Sequence, residues 1–237
     1  MRRSDVQMKV KLVAYTPNPE LVCAAAAMTS TTDGSVEKIF EEMTLEKAQK
    51  LIRNVVGRGH VSIVEHASFT FALEDVSRVL EVQLVRHRIA SYTIKSGRYN
   101  KTHCNIVIPP EIAKNEKALE KTNEFVEYNT KFIQELTDMG IPFEDARMLS
   151  PQGIKTNIVV TMNARELLHF FGLRCCARAQ WEIKELADAM LAEAKKVAPV
   201  IFENAGPNCV QIGYCPEGAK KPADCDIAAL RRAYKGE

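Results

Sequence analysis

Apolar residues recur along this chain with two different periods, and the switches between them lay out its elements. Residues 9–14 (Lys-Val-Lys-Leu-Val-Ala) read as a strand closed by Thr16-Pro17-Asn18-Pro19. Residues 20–28 are alanine-rich and helical by propensity. Thr44 is placed to cap a helix that runs to Val56 and stops at Gly57-Arg58-Gly59, with Lys47 where a capping box prefers Glu. Residues 67–73 alternate about Phe69 and Phe71, the mark of a half-buried strand. Val76, Leu80 and Leu84 then fall at helical spacing, which predicts a helix over 76–88. Residues 97–107 return to extended character and end at Pro109-Pro110. A long charged helix is expected over 111–139, closed by Gly140-Ile141-Pro142, and a short one over 143–149.

Residues 154–162, rich in Val, Ile and Thr, predict another strand. Asn163 is the cap of the next helix, with Glu166 at the third position reaching back. Helices continue to about 172 and again over 178–202. The tail, about 206–237, holds Gly, Pro and three cysteines and has little regular pattern. No repeat and no linker divides the chain, so a single domain over 1–237 is expected. Strands and helices mix without a regular βαβ alternation, which points to an α+β fold.

Composition narrows the class. The chain has 237 residues, 46% hydrophobic and 26% charged, the make-up of a globular protein with a sizeable core. Its 32 basic residues face 30 acidic ones, a formal charge of +2, so any anion must be caught by a few placed arginines rather than by an overall field. The sparse aromatics, 7%, also disfavour an RNA surface. No apolar run approaches membrane-helix length and no signal-peptide core follows the charged N-terminus. The seven cysteines are therefore read as reduced thiols of a cytoplasmic protein.

The chemistry concentrates in Gln83-Leu84-Val85-Arg86-His87-Arg88-Ile89-Ala90-Ser91-Tyr92-Thr93-Ile94-Lys95-Ser96-Gly97-Arg98-Tyr99. Three arginines and one histidine fall within thirteen residues, interleaved with hydroxyls and a glycine. Guanidinium forks suit phosphate and carboxylate, and hydroxyls and a glycine backbone add donors. On a helix end, Arg86 and Arg88 point away from each other, so they would serve two ligands or one extended ligand crossing a subunit boundary. The plainer reading is a solvated basic helix end that complements the dipole.

Arg86-His87-Arg88, seven residues and then Ser96 resembles the signature of the flavin-dependent thymidylate synthases, the ThyX family. Gly97-Arg98-Tyr99 follows the serine as in that family. Gly59-His60-Val61-Ser62-Ile63-Val64-Glu65-His66 resembles its Gly-His-x-Ser/Thr-x-x-Glu-His element. Ala146-Arg147-Met148-Leu149-Ser150-Pro151 looks like its Ala-Arg-x-x-x-Pro helix end. Asn163-Ala164-Arg165, Leu173-Arg174 and Ala179-Gln180-Trp181-Glu182-Ile183 resemble its last block. These elements stand in the family's order over about 59–183. Thr93 and Ile94 depart from the Asn and Glu of many relatives, and His169 replaces an Asn seen in some.

The resemblance implies a curved, mainly antiparallel sheet flanked by helices, and a homotetramer with its sites between subunits. It implies reductive methylation of dUMP to dTMP, with methylenetetrahydrofolate as carbon donor and FAD as hydride carrier, reloaded by NADPH. By the same resemblance dUMP meets Gln83, Leu84, Val85, Arg86, Ile94, Lys95, Ser96, Gly97, Arg98, Arg147 and Arg174. Arg98 and Arg147 are the phosphate candidates, and Arg174 is the candidate for the uracil ring, where a fixed cation stabilises developing charge. FAD meets His60, Ser62, Arg86, His87, Arg88, Ile94, Asn163, Ala164, Arg165 and His169. Arg174 and Ser96 are the catalytic candidates, Ser96 as a hydrogen-bond donor, since no base stands at fixed spacing to make it a nucleophile.

Plainer readings stand beside these. Arg174 alone reads as a helix-terminal cap, His66 beside Glu65 as a structural histidine, and Trp181 as core or subunit contact. Cys209, Cys215 and Cys225 have spacings that fit no standard zinc knuckle, so no metal is expected and these thiols, with Cys175 and Cys176, are read as spare or as part of a clade-specific tail. Two other functions remain open: a flavin reductase that uses FAD and NADPH without methyl transfer, and a non-catalytic nucleotide- or RNA-binding protein.

Overall fold

Alternating β-branched and aromatic residues make the strands of the computed structural model, which describes residues 8–97 and 105–235. In chain order the elements are β1 (Lys9–Tyr15), α1 (Pro19–Thr29), α2 (Val36–Glu42), α3 (Leu45–Gly57), β2 (Ser68–Ser77), α4 (Arg78–Leu84) and β3 (Ala90–Ile94). There follow α5 (Pro110–Ala113), α6 (Glu116–Asp138), α7 (Phe143–Ala146), β4 (Lys155–Asn163), α8 (Ala164–Arg174), α9 (Trp181–Val197), α10 (Asn208–Ile212) and α11 (Ile227–Lys235). The strands form an open antiparallel sheet in the order β1-β2-β4-β3, the α+β architecture expected. No helix among the described residues is long and apolar enough to cross a membrane.

The strand period of two is kept. β2 buries Phe69, Phe71 and Leu73, and β4 buries Thr156, Ile158, Val160 and Met162. The hydroxyls of Thr70 and Thr161 meet at 2.9 Å.

The described residues group into two compact units. Leu73–Arg86 and Thr93–Ile158 make most of the first, and Val10–Ala72, His87–Tyr92 and the chain from Val159 onward make the second. The first unit buries Val76, Leu80 and Leu84 around α4, with Ile133 of α6, Ala146 of α7 and Ile158 of β4. Buried Asn129 of α6 donates to the Leu149 carbonyl at 3.1 Å. The second unit is organised by aromatic contacts: Phe69 to Phe202 at 5.4 Å between ring centroids, Phe202 to Phe171 at 5.9 Å, and Phe171 to Phe170 at 5.7 Å. Edge and tilted packing of this kind adds to plain area burial. Buried Glu20 accepts from Val200 N at 2.5 Å and from Gln49 Nε2 at 2.9 Å, so its charge is met by donors rather than left bare.

Several boundaries differ from the sequence reading. β2 continues to Ser77, whose hydroxyl accepts from Leu80 N at 3.0 Å and starts α4 there; α4 then ends at Leu84. Arg86, His87 and Arg88 therefore lie beyond the helix, not on its end. The long helix breaks at Lys114-Asn115, because the Asn115 side chain accepts from Ala118 N at 3.1 Å and opens α6. The tail is not irregular: α10 and α11 are short helices, and Asp226 opens α11 by accepting from Ala228 N and Ala229 N at 2.8 and 3.1 Å. α2 and β3 escaped the sequence reading. Much of the extended run over 97–107 lies outside the described residues, although Ile106 bridges to Ile154.

Candidate active site

Cations converge in the first unit on a cavity of about 360 Å³. α4 contributes Arg78, the turn after β3 contributes Lys95, Ser96 and Gly97, the 3-10 turn after α7 contributes Arg147, and β4 opens with Lys155. Arg78 pairs with Glu81 at 2.5 Å and donates to the Lys95 carbonyl at 3.0 Å. Lys155 pairs with Asp75 at 3.5 Å. Arg147 pairs with no carboxylate among the described residues. Its guanidinium rests on bare backbone: a Cβ on Gly97 would fall 1.7 Å from Arg147 Nη1 and 2.4 Å from Cζ. The buried Thr156 hydroxyl, in the same lining, has no hydrogen-bond partner among the described residues. An uncommitted fork, a glycine backbone and an unused hydroxyl are what an incoming oxyanion requires.

The second unit holds a different arrangement. His87 is buried, 3% exposed, with Phe170 against its ring edge-on at 4.9 Å. Arg174, the last residue of α8, donates from Nε to His87 Nε2 at 3.2 Å. Because Nε2 accepts, the ring proton sits on Nδ1, which faces a carboxylate oxygen of Glu166 at 3.6 Å, beyond hydrogen-bond length. The Tyr92 hydroxyl donates to the His87 carbonyl at 2.7 Å. Burial, then the charge of Arg174 and that of His169, pull the His87 pKa from 6.5 to about 4, so the ring is neutral at pH 7. A neutral imidazole is the acceptor a guanidinium can use, and the bond orients the Arg174 fork.

The start of α8 is tied to the 3-10 segment Val61–His66. Ala164 N donates to the Ala67 carbonyl at 2.8 Å, and Arg165 pairs with Glu65. The Asn163 side chain caps α8 by accepting from Glu166 N at 2.9 Å, as its sequence position predicts. The Glu166 carboxylate does not reach back to close a capping box; it faces His87 instead. Exposed His60 and Ser62 thus share a neighbourhood with a capped helix start whose N–H groups favour negative or carbonyl partners. Arg165 and His169, one turn apart, are both exposed.

The expected residues fall into distinct sets. Lys95, Ser96, Gly97 and Arg147 share the first unit's cavity. His60, Ser62, Asn163, Ala164, Arg165 and His169 gather at α8, where Ala164 is buried and Arg165 is already paired. Gln83 donates to the Val79 carbonyl at 3.3 Å within its own helix, and Leu84 is a core side chain. Val85, Arg86 and Arg88 are exposed, Ile94 is half-buried, and Arg98 lies outside the described residues. Arg78, Lys155 and Thr156 were missed. A lysine opening a strand rich in Val, Ile and Thr was the available signal for Lys155.

Comparison with known proteins gives a consistent picture. Residues 11–200 match the family described as thymidylate synthase complementing protein. A protein of Clostridium tetani named flavin-dependent thymidylate synthase is 45% identical, over 99% of this chain and 100% of its own. A protein of Pyrococcus horikoshii with the same name is 45% identical, over 96% of this chain and 97% of its own. Among solved structures, the UMP/dUMP methylase PolB from Streptomyces cacaoi, bound with 5-Br dUMP, is similar with a TM-score of 0.72 at 25% identity, over 82% of this chain and 93% of PolB.

Proposed function

The chain belongs to the thymidylate synthase complementing protein family, and from that premise we propose that it is a flavin-dependent thymidylate synthase that methylates dUMP to dTMP. The carbon comes from methylenetetrahydrofolate and the reducing equivalents from NADPH, so that dUMP, methylenetetrahydrofolate and NADPH with one proton give dTMP, tetrahydrofolate and NADP⁺. FAD is the flavin, and when bound it supplies the hydride.

The chain's own residues bind and orient. Arg147 on Gly97, with Lys95, Ser96 and the Thr156 hydroxyl, holds the dUMP phosphate. Arg174, aimed by His87, stabilises negative charge on the uracil as the ring is activated. Ser96 acts as a hydrogen-bond donor. The capped start of α8, with His60, Ser62 and His169, borders the flavin, and exposed Arg86 and Arg88 reach its phosphates or the nucleotide. The burial of His87 supports a role in aiming Arg174 rather than in touching ligand. Val82 and Ile89, 58% and 65% exposed, flank these arginines, which supports a homotetramer that covers them.

The observation that carries this reading is the uncommitted Arg147 guanidinium seated on Gly97. A flavin reductase has no use for such a nucleotide cradle. The test is anaerobic turnover with dUMP, methylenetetrahydrofolate, NADPH and FAD, each omitted in turn, following dTMP by chromatography. Formation of dTMP only with all four supports the proposal. Consumption of NADPH without dTMP overturns it in favour of a reductase.

A further inference from the structure

Four cysteines that sequence spacing left unconnected line one cavity of the second unit. Cys176 follows the end of α8, Cys209 lies in α10, Cys215 lies in the turn after it, and Cys225 precedes α11. The cavity is about 330 Å³. All four thiols are free. We propose that Cys176, Cys209, Cys215 and Cys225 form a tetrathiolate zinc site that staples the C-terminal segment to the end of α8.

Two features support the site besides the convergence. From Gln211 to Lys235 no residue is buried, yet the segment forms the end of α10, a 3-10 turn at Gly218–Lys220 and all of α11. Tyr234 anchors the far end through its hydroxyl on Asp188 at 2.6 Å, but a segment with no buried core offsets little of its conformational entropy by apolar burial, and small irregular lobes of this kind are held by disulfides or metal. The surroundings are cationic as well: Arg174 and Arg178 line the same cavity, and Lys221 donates to the Cys225 carbonyl at 2.7 Å. A zinc ion with four thiolates carries a net charge of −2, which such neighbours stabilise; Arg178 is shared with Glu217.

Among the described residues no three His, Cys, Asp or Glu side chains stand close enough to hold a metal ion. Binding therefore draws the sulfurs inward. The exposed chain between Cys209 and Cys225, with Gly213 and Gly218 at positive φ of 83° and 53°, has the freedom to contract. Four soft thiolates select zinc among abundant divalent ions, and each thiol gives up its proton on binding. The site would also fix the chain two residues beyond Arg174.

The test uses the full-length, reduced protein. Bound metal is measured by mass spectrometry, then removed with a chelator, and cobalt(II) is titrated in while absorption is followed at wavelengths beyond the flavin bands. One zinc per chain, tetrahedral cobalt-thiolate absorption saturating at one equivalent, and four thiols protected from alkylation by zinc support the site. Cys209→Ser and Cys225→Ser each abolish the cobalt spectrum. Limited proteolysis of wild type then shows faster cleavage after residue 206 once zinc is removed. A reduced wild-type protein that takes up no cobalt or zinc overturns the proposal, as do disulfides among these four cysteines in the isolated protein or an iron–sulfur chromophore.

Discussion

Arg174 Nε and His87 Nε2 lie 3.2 Å apart, joined by a hydrogen bond across 87 residues of chain. The bond makes the buried histidine a positioning residue for a guanidinium. His87→Ala should lower kcat by roughly 10–100-fold, the usual cost of losing a supporting partner, with little change in the KM for dUMP. His87→Gln, whose amide oxygen can accept the same bond, should recover most of the loss. Equal activity in wild type and His87→Ala would end this role.

The same burial makes a pH prediction. Unfolded, the histidine takes a proton near 6.5; folded, only near 4. Between these values the unfolded chain binds more protons, so the folded state's advantage is present above 6.5 and is lost as pH falls toward 4. Tm measured over that window should fall less steeply for His87→Gln than for wild type. Parallel slopes would assign the acid lability to other groups.

Arg147 and Gly97 should behave as a pair. Arg147→Ala should weaken dUMP binding roughly 10- to 100-fold, the worth of one charged hydrogen-bonding group, and leave Tm almost unchanged. Gly97→Ala should act in the same direction, because its methyl displaces the guanidinium rather than any backbone. Arg147→Lys should restore only part of the affinity, since an ammonium lacks the fork. Calorimetric titration with dUMP reads all three, and full affinity in Gly97→Ala would detach the glycine from the site.

Asn163 caps α8 from a single side-chain oxygen. Asn163→Ala should cost about 1 kcal/mol of folding free energy, and Asn163→Asp should not. Chemical denaturation decides between these outcomes, and an unchanged midpoint in the alanine variant would mean the cap bond contributes nothing.

The exposed apolar positions beside the arginines predict assembly. Val82→Asp or Ile89→Asp should shift the protein to smaller species in light scattering, with turnover lost in parallel. A tetramer that survives both changes would place the interface elsewhere.

The legibility of the chain in sequence was uneven for physical reasons. Thr44 and Asn163 were found as caps because a cap is a local bond between a side chain and a backbone N–H three residues on. Phe69 and Phe71 were found because strand burial has a fixed period. The end of α4 was misplaced because Leu84 ends an apolar stripe that the pattern alone would extend, and nothing local marks where the chain leaves the helix. Lys155 and Thr156 were missed because the cavity gathers them from β4, far in sequence from Arg78 and Gly97. The cysteine spacings hid a convergence that only the return of the tail to α8 creates.

Leu84 and Tyr92 have one more consequence. Leu84 is buried in the core of its own unit, and the Tyr92 hydroxyl grips the His87 carbonyl at 2.7 Å within the other, so the chain between them has an anchor at each end. Within it Arg86, His87 and Arg88 read exposed, buried, exposed. Deleting or inserting one residue here would not merely shorten or lengthen a loop. It would slide a guanidinium into the slot built for a neutral ring and turn the imidazole out to water. The segment therefore tolerates changes of letter far better than changes of count.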